Sequence, residues 1–142
     1  MREGYSGPLI RDLLLRAERR VAAEERRFIH ENHGIGRSDF FVLDHLWSSG
    51  PLPVSVIGRK VLLTSGSITS AIDRMENRGF VGRNRDPNDR RISMIELTPL
   101  GRELIETNTV RHAELLENLF ARLSGAEKSQ LANILKIFLG TG

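Results

Sequence analysis

The sequence predicts a mainly α-helical fold with a small β wing, that is, a winged helix-turn-helix with N- and C-terminal dimerisation helices. Three observations predict this class. Residues 64–81 form a short helical segment with a polar beginning, residues 86–91 form a charged turn between two β-like runs, and apolar stripes at helical spacing occupy both ends of the chain. All 142 residues form one predicted domain. The winged helix-turn-helix covers about 38–97, and the dimerisation helices cover about 8–33 and 98–139.

The composition of the chain excludes several classes of protein. There is no cysteine, which excludes disulfides, thiol redox sensors and cysteine-based metal sites or nucleophiles. No apolar run approaches the roughly 18–20 residues that span a bilayer. The N-terminus lacks the apolar core of a signal peptide. We therefore expect a cytoplasmic protein with no membrane association.

Positive charge is concentrated in one short stretch. The net charge is +3, and residues 74–91 hold six arginines against three acidic residues. The six are Arg74, Arg78, Arg83, Arg85, Arg90 and Arg91. A local basic patch suits a polyanion better than an acidic small substrate. The alternative is an ordinary solvated face.

Two helices are predicted in the first third of the chain. Residues 9–33 place apolar side chains on one stripe, and Gly34 ends this helix. Ser38 is the predicted cap of a second helix, which the Ser-Ser-Gly-Pro sequence at 48–51 breaks.

A helix-turn-helix follows. Residues 54–61 predict a short third helix, and Thr64 or Ser65 caps a fourth that runs to about Arg78 before Gly79 ends it. Four apolar residues at helical spacing form the predicted buried face of this fourth helix: Ile68, Ala71, Ile72 and Met75.

The predicted wing is a β-hairpin. Two β-like runs occupy residues 80–85 and 92–97, and the second alternates in polarity. The connection at 86–89 has turn chemistry, because Pro87 fixes φ while Asn and Asp tolerate unusual backbone angles.

Two helices complete the chain. Thr98 and Pro99 start a fifth helix that runs to about Arg122, and a capping box from Ser124 to Glu127 opens a sixth. The first and the last two helices carry more apolar surface than the small central domain can cover. Unpaired apolar stripes at both ends of a chain indicate a partner, and we predict a homodimer held by these terminal helices.

The outer face of the fourth helix suits the major groove of double-stranded DNA. In helix-turn-helix docking, the first residues of the second helix meet base edges. Short hydroxyl side chains let a helix enter the groove deeply and can donate to phosphates or bases. The candidate contacts on this helix are Thr64, Ser65, Ser67, Thr69, Ser70 and Arg74.

The wing supplies a second candidate contact. Arg90 and Arg91 lie at or just beyond its tip. One of them is expected to enter a narrow A·T-rich minor groove, while the other pairs with Asp86 or Asp89 and holds the loop rigid. The sequence leaves open which arginine does which.

Together these features predict a sequence-specific DNA-binding transcriptional regulator. The alternative is a winged helix that binds an acidic protein partner. No enzyme, catalytic residue or cofactor is predicted, because there is no glycine-rich phosphate loop and no Ser/His/Asp arrangement in a recognisable context. Four histidines lack the spacing of a ligand set, so no metal site is predicted: His30, His33, His45 and His112.

The chain resembles the multiple antibiotic resistance regulator (MarR) family of bacterial transcription factors over essentially its whole length. The most specific parts are residues 63–69, 73–81, 86–91 and 97–101. The resemblance implies a triangular homodimer that represses nearby genes and binds two half-sites about one helical turn apart. It also places six residues at contact positions of the recognition helix and wing: Ser65, Ser67, Thr69, Ser70, Arg90 and Arg91.

The chain departs from this family pattern in three respects. Leu62 stands where many relatives carry Gly in the turn, which implies a slightly tighter or shifted turn. Asn88 replaces an Arg common in the wing motif, which removes one charge contact or internal pair. The absence of cysteine excludes sensing by thiol oxidation.

The resemblance further implies a small effector, often phenolic or otherwise aromatic, bound between the dimerisation helices and the DNA-binding lobes. The candidate residues lie on the inner faces of the first, second and fifth helices: Leu13, Arg16, Phe40, Leu43, Trp47 and His112. Arginine or histidine beside apolar and aromatic walls suits an aromatic carboxylate. The alternative for Phe40, Leu43 and Trp47 is an ordinary place in the core.

Overall fold

A computed structural model describes residues 6–61 and 65–142, and it confirms the mainly α-helical class with a small β wing. The elements in chain order are α1 (Gly7–His33), α2 (Arg37–Ser49), β1 (Leu52–Pro53), α3 (Val54–Lys60), α4 (Ser65–Asn77), β2 (Val81–Arg85), β3 (Ser93–Leu97), α5 (Pro99–Leu119) and α6 (Gly125–Leu139).

The helix α1 begins slightly earlier than predicted. Ser6 is its cap, and the Ser6 hydroxyl accepts a hydrogen bond from the backbone amide of Leu9 at 3.5 Å. Pro8 lies in the first turn, where backbone N–H groups make no hydrogen bond within the helix, so the N–H that proline lacks is not needed. Gly34 ends the helix in the left-handed conformation with φ of 61°, as predicted.

The predicted cap of α2 is wrong. Gly36 is the N-cap, in extended conformation and without a side-chain hydrogen bond, and Ser38 lies inside the first turn. Glycine serves as an N-cap almost as well as serine, so the serine was a misleading signal. The capping box between Ser124 and Glu127 is confirmed, whereas α5 ends at Leu119 rather than near Arg122.

A three-stranded antiparallel sheet has the order β1-β3-β2. The hairpin β2–β3 is the predicted wing, with Val81 opposite Leu97 and Arg85 opposite Ser93. The strand β1 was not predicted; Leu52 pairs with Ile95 across a two-residue ladder. A strand of two residues that contains a proline is too short to show alternating polarity.

A close backbone contact joins α5 to the end of α4. The backbone amide of Thr98 donates to the Phe80 carbonyl at 3.0 Å, and the Thr98 hydroxyl accepts from the Gly101 amide at 3.1 Å. A Cβ atom on Gly101 would lie 2.0 Å from the Phe80 carbonyl oxygen. Glycine is therefore required at this position, because no side chain fits between the helix and the turn.

The core belongs to the central part of the chain. Side chains from α1, α2, α3, α4, the wing strands and α5 form one buried cluster, which includes Ile29, Phe40, Leu43, Leu46, Ile57, Ile72, Met75, Ile95 and Ile105. We call residues 35–105 the winged-helix lobe. Its elements surround this cluster and hold α4 and the wing in place.

The two ends of the chain lack such a core. The helix α6 contains no buried residue, and Phe138 is 72% exposed. Large apolar side chains are also exposed at the start of α1 and along α6: Leu9, Ile10, Leu13, Leu14, Leu15, Leu131, Ile134, Ile137 and Leu139. Within the described ranges, no helix combines the length and apolar character needed to cross a membrane.

Candidate nucleic-acid interface

The recognition helix α4 has one buried face and one exposed face, as predicted. The buried face packs into the lobe through Ile68, Ala71, Ile72 and Met75. The outer face exposes the small hydroxyl side chains Ser67, Thr69 and Ser70. Two predicted contacts, Thr64 and the side chain of Ser65, lie outside the described residues. The exposed part of this face therefore consists of short side chains, which suit close approach to a groove.

Arg74, the remaining predicted contact on α4, is bound to another helix. Its Nη2 donates to Oδ1 of Asp39 at 2.8 Å, and its Nε donates to Oδ2 at 3.4 Å. Asp39 belongs to the first turn of α2 and is only 6% exposed, whereas the Arg74 side chain is 56% exposed. The hydrogen bond and charge of Asp39 raise the pKa of Arg74. Arg74 thus links the recognition helix to α2.

The tip of the wing is closed by local hydrogen bonds. The Asp86 carboxylate accepts a hydrogen bond from the backbone amide of Asn88 at 2.7 Å, and the backbone amide of Asp86 donates to the Ile92 carbonyl at 3.0 Å. The Asp89 carboxylate accepts from the Arg91 amide at 3.0 Å. These are the side chain–backbone turns that Asx residues make, and they give the loop a defined shape.

The two wing arginines differ in their partners. Arg91 donates from Nε to Oδ1 of Asp89 at 3.1 Å, and this bond, with that of the Arg91 amide, lowers the pKa of Asp89. The side chain of Arg90 has no ion pair or hydrogen bond within the described parts of the chain; only its carbonyl is used, as an acceptor from Arg85. Arg90 is thus the wing arginine left available to a ligand.

The predicted basic patch is largely engaged in internal bonds. Arg83 contacts Asp73 and Glu76 of the recognition helix, the latter at 3.4 Å. The guanidinium of Arg78 donates to the Gly34 carbonyl at 2.9 Å, which ties the end of α4 to the end of α1. These arginines therefore hold the recognition helix and the wing in position, and they also make the surface positively charged.

The six residues predicted to line an effector pocket have different surroundings in the structure. Phe40 and Leu43 are fully buried in the core, which is the alternative that the sequence left open. Trp47 is 39% exposed, and its indole N–H donates to Glu106 at 3.3 Å. Leu13 is exposed on α1, where Arg16 pairs with Asp12 at 2.9 Å.

His112, the sixth of these residues, belongs to a buried charged cluster. Its Nε2 lies 2.9 Å from Oε1 of Glu25, and Arg37 donates from Nε to Oε2 of Glu25 at 2.7 Å. Arg37 also reaches Glu18 at 2.9 Å, and the His112 ring packs against that of Phe40 in a tilted arrangement, with 5.0 Å between the ring centroids. Burial raises the pKa of Glu25, but the bonds from His112 and Arg37 outweigh this effect and hold it below its usual value. This cluster joins α1, α2 and α5.

An open cleft of about 360 Å³ lies on the outer side of α5. Its lining combines apolar and polar side chains: Phe80, Leu100, Glu103, Leu104, Thr107, Asn108 and Arg111. Asn108 is only 4% exposed, and its Nδ2 donates to the Leu104 carbonyl at 2.7 Å. Its Oδ1 has no partner among the described residues. Buried acceptors of this kind are usually satisfied by a further donor, such as an ordered water or a ligand.

Over residues 6–61 and 65–142, no group of three or more His, Asp and Glu side chains is arranged to hold a metal ion.

Comparison with known proteins gives one consistent result. Residues 35–93 match the model of the MarR family. The HTH-type transcriptional regulator YkoM of Bacillus subtilis is 37% identical over 106 residues, which are 75% of this chain and 69% of that protein. The HTH-type transcriptional regulator MhqR of the same organism is 33% identical over 124 residues, 87% of this chain and 85% of that protein.

A solved structure extends the likeness to the whole fold. BpsR of Bordetella bronchiseptica, a protein whose DNA binding is regulated by 6-hydroxynicotinic acid, superposes with a TM-score of 0.81 at 25% identity. The match covers 91% of this chain and 97% of that one. It therefore includes the terminal helices as well as the winged-helix lobe.

Proposed function

Since the chain belongs to the MarR family of DNA-binding transcriptional regulators, we propose that it binds a pseudo-palindromic operator as a homodimer and represses the genes beside it. One observation carries this proposal: α4 exposes Ser67, Thr69 and Ser70 on the face opposite its buried stripe. The wing carries Arg90, whose side chain has no ion pair or hydrogen bond among the described residues, and this supports a minor-groove contact beside the major-groove contact of α4. The site of action is the cytoplasm, where bacterial DNA lies.

The exposed apolar ends support a dimer. The first half of α1 and all of α6 expose large side chains that the winged-helix lobe does not cover. A second copy of the chain buries both surfaces at once, and a two-fold axis then presents two recognition helices to two half-sites. The spacing of those half-sites is about one helical turn.

An effector response is part of the proposal. BpsR, which this chain resembles, responds to a small aromatic acid. The six predicted residues Leu13, Arg16, Phe40, Leu43, Trp47 and His112 remain a prediction. The cleft on α5 is a second candidate, because the buried Oδ1 of Asn108 and the guanidinium of Arg111 offer an acceptor and a cation beside apolar walls.

The alternative function is a winged helix that binds an acidic protein. The wing arginines would then meet carboxylates rather than phosphates, and salt would weaken either interaction. Dependence on base sequence separates the two functions, because only the DNA reader distinguishes duplexes of equal length and charge.

The test is selection of binding sites from a randomised duplex pool at about 150 mM salt, where non-specific electrostatic binding is already weak. We expect enrichment of an inverted repeat with half-sites about one turn apart. A Ser67→Ala, Ser70→Ala variant should lose enrichment while it stays folded and dimeric. No enrichment with folded, dimeric wild-type protein would contradict the proposed function and favour the protein-binding alternative.

A further inference from the structure

Arg74 is the basic residue of α4, whose sequence is SGSITSAIDRMEN, and its place in the structure differs from that of a free groove-reading arginine. Two of its N–H groups are already given to Asp39, through Nη2 at 2.8 Å and Nε at 3.4 Å. An arginine that reads guanine needs two neighbouring N–H groups for the base edge. The bonds to Asp39 use the Nε and Nη2 edge of the guanidinium, and they fix the direction in which its remaining N–H groups point.

The partner of Arg74 is a buried acid. Asp39 is 6% exposed and lies in the first turn of α2, whereas Arg74 is more than half exposed. The pair is therefore oriented, with its negative end inside the protein and its positive end at the surface. Removing the arginine would leave a buried carboxylate without a counter-ion, which strongly destabilises a fold.

The exposed end of the pair meets a polar cleft. Arg74 lines a cleft of about 380 Å³ between α2 and α4 together with Ser38, Gly66, Ser67 and Ser70. Hydroxyl groups and an oriented guanidinium are the groups that most often contact phosphate in protein–DNA complexes. They carry no information about base sequence.

We propose that Arg74 is a positioning residue: Asp39 holds its guanidinium so that it binds one backbone phosphate of the operator, and this contact fixes the register at which Ser67, Thr69 and Ser70 meet the bases. The inference rests on the proposed function, because it assumes that α4 faces an operator. It assigns Arg74 to affinity and register, and it assigns Asp39, a residue that never touches DNA, to the same task.

The sign of an Asp39 substitution tests this role. Asp39→Asn removes a negative charge near DNA, so electrostatics alone requires tighter binding to every duplex. Positioning requires the reverse for the operator. We expect operator affinity to fall about tenfold, the cost of one charge-assisted hydrogen bond, while affinity for a scrambled duplex of equal length stays the same or rises.

The matched control is Asp44→Asn. Asp44 lies on the same helix as Asp39 and makes no ion pair within the described parts of the chain, so this substitution makes the same change of charge without breaking a pair. We expect this variant to bind the operator and the scrambled duplex with equal or greater affinity. Fluorescence anisotropy with both duplexes, over a series of salt concentrations, measures all of these affinities.

Arg74→Lys keeps a counter-ion for Asp39 and so keeps the protein folded, but it lacks the planar fork. We expect weaker operator binding with an unchanged order of base preferences. Arg74→Gln, Asp39→Asn replaces the ion pair with a neutral one and should lower the salt slope of operator binding by about one, since one phosphate contact is lost. Circular dichroism melting reports the folded fraction of each variant.

Three results would overturn the proposal. Tighter binding of Asp39→Asn to both duplexes would make Arg74 a free cation. A relaxed preference at a single base pair in Arg74→Lys would make it a base reader. A lower melting temperature with unchanged affinity, salt slope and specificity would make the pair purely structural. If wild-type protein does not distinguish the two duplexes, the proposed function itself has failed, and that result is separate from these three.

Discussion

The winged-helix lobe and the terminal helices are stabilised in different ways. The lobe buries its large apolar residues within one chain, around Phe40, Ile72 and Ile95. The helix α6 buries none of its residues, although it carries large apolar side chains such as Ile134, Ile137 and Phe138. A helix with an apolar face and no cover is incomplete as a monomer. The contrast indicates that one chain is enough to hold the candidate DNA-binding surface, whereas the proposed dimer would set the distance between two such surfaces.

The largest effect is expected where the terminal helices meet their proposed partner. Phe138→Glu puts a carboxylate into that interface in both copies, and an unpaired buried charge costs about 3–5 kcal/mol. Sedimentation equilibrium should show a monomer whose lobe is still folded. Lys136→Glu, which changes charge on the opposite side of the same helix, should remain dimeric. A dimeric Phe138→Glu variant would remove α6 from the interface.

The next largest effect is expected inside the lobe. Gly101→Ala forces a methyl group against the Phe80 carbonyl, and we expect a loss of about 3 kcal/mol in the free energy of unfolding. Gly125→Ala at the start of α6 meets nothing within 4 Å and should stabilise by about 0.4–1 kcal/mol, because alanine restricts the unfolded chain. Urea unfolding measures both. Equal effects of the two changes would show that the Gly101 contact is not real.

The buried cluster of Glu25 lies on the boundary between the two regions. The pKa of Glu25 is lowered, so its stabilisation is complete above the unfolded pKa of about 4.3 and is lost as the pH falls through the lower folded-state value. We expect Glu25→Gln to cost about 2 kcal/mol at pH 7 and to flatten the acid limb of stability.

Glu24→Gln is the control for this change, since Glu24 is the adjacent acid and, among the described residues, pairs with the exposed Arg27 alone, at 3.1 Å. Unfolding followed from pH 7 to pH 3 should separate the two variants. Parallel curves for wild type and Glu25→Gln would mean that Glu25 is not the group whose charge joins α1, α2 and α5.

The smallest effect is expected at the tip of the wing. Arg90→Ala should weaken operator binding by about 1 kcal/mol and lower the salt slope by about 0.9, without a change in melting temperature. Arg91→Ala should act differently, because it removes the partner of Asp89 and loosens the loop. Anisotropy titrations at several salt concentrations compare them. Identical effects would show that the two arginines share one role.

Most of the fold could be predicted from local sequence. Patterns within a few residues of each other predict the end of α1 at Gly34 and the start of α6 at Ser124. They also predict the hairpin and the two faces of α4. The strand β1 was not predicted because a strand of two residues is too short to show an alternating pattern. The cap of α2 was assigned to Ser38 because serine is a common cap, but Gly36 caps this helix instead.

The candidate site was less predictable than the fold. Asp39 and Arg74 are 35 residues apart, and Glu25 and His112 are 87 apart. No local pattern relates such residues, because only the packing of helices brings them together. For the same reason the sequence showed a basic patch at 74–91 without showing that Arg83 and Arg91 already have acidic partners.

At Gly101, α5 contacts the Phe80 backbone directly, so a tilt of α5 would move the segment that follows α4. The start of α5 packs directly against the backbone at Phe80, just after the recognition helix, and no side chain fits between the two segments. The 21 residues of α5 make an arm of about 30 Å. A tilt of about 6.5° over this length displaces one end of the helix by about 3.4 Å, the height of one base-pair step. In the proposed complex, small rearrangements among the terminal helices would therefore be enough to move a recognition helix out of step with its half-site.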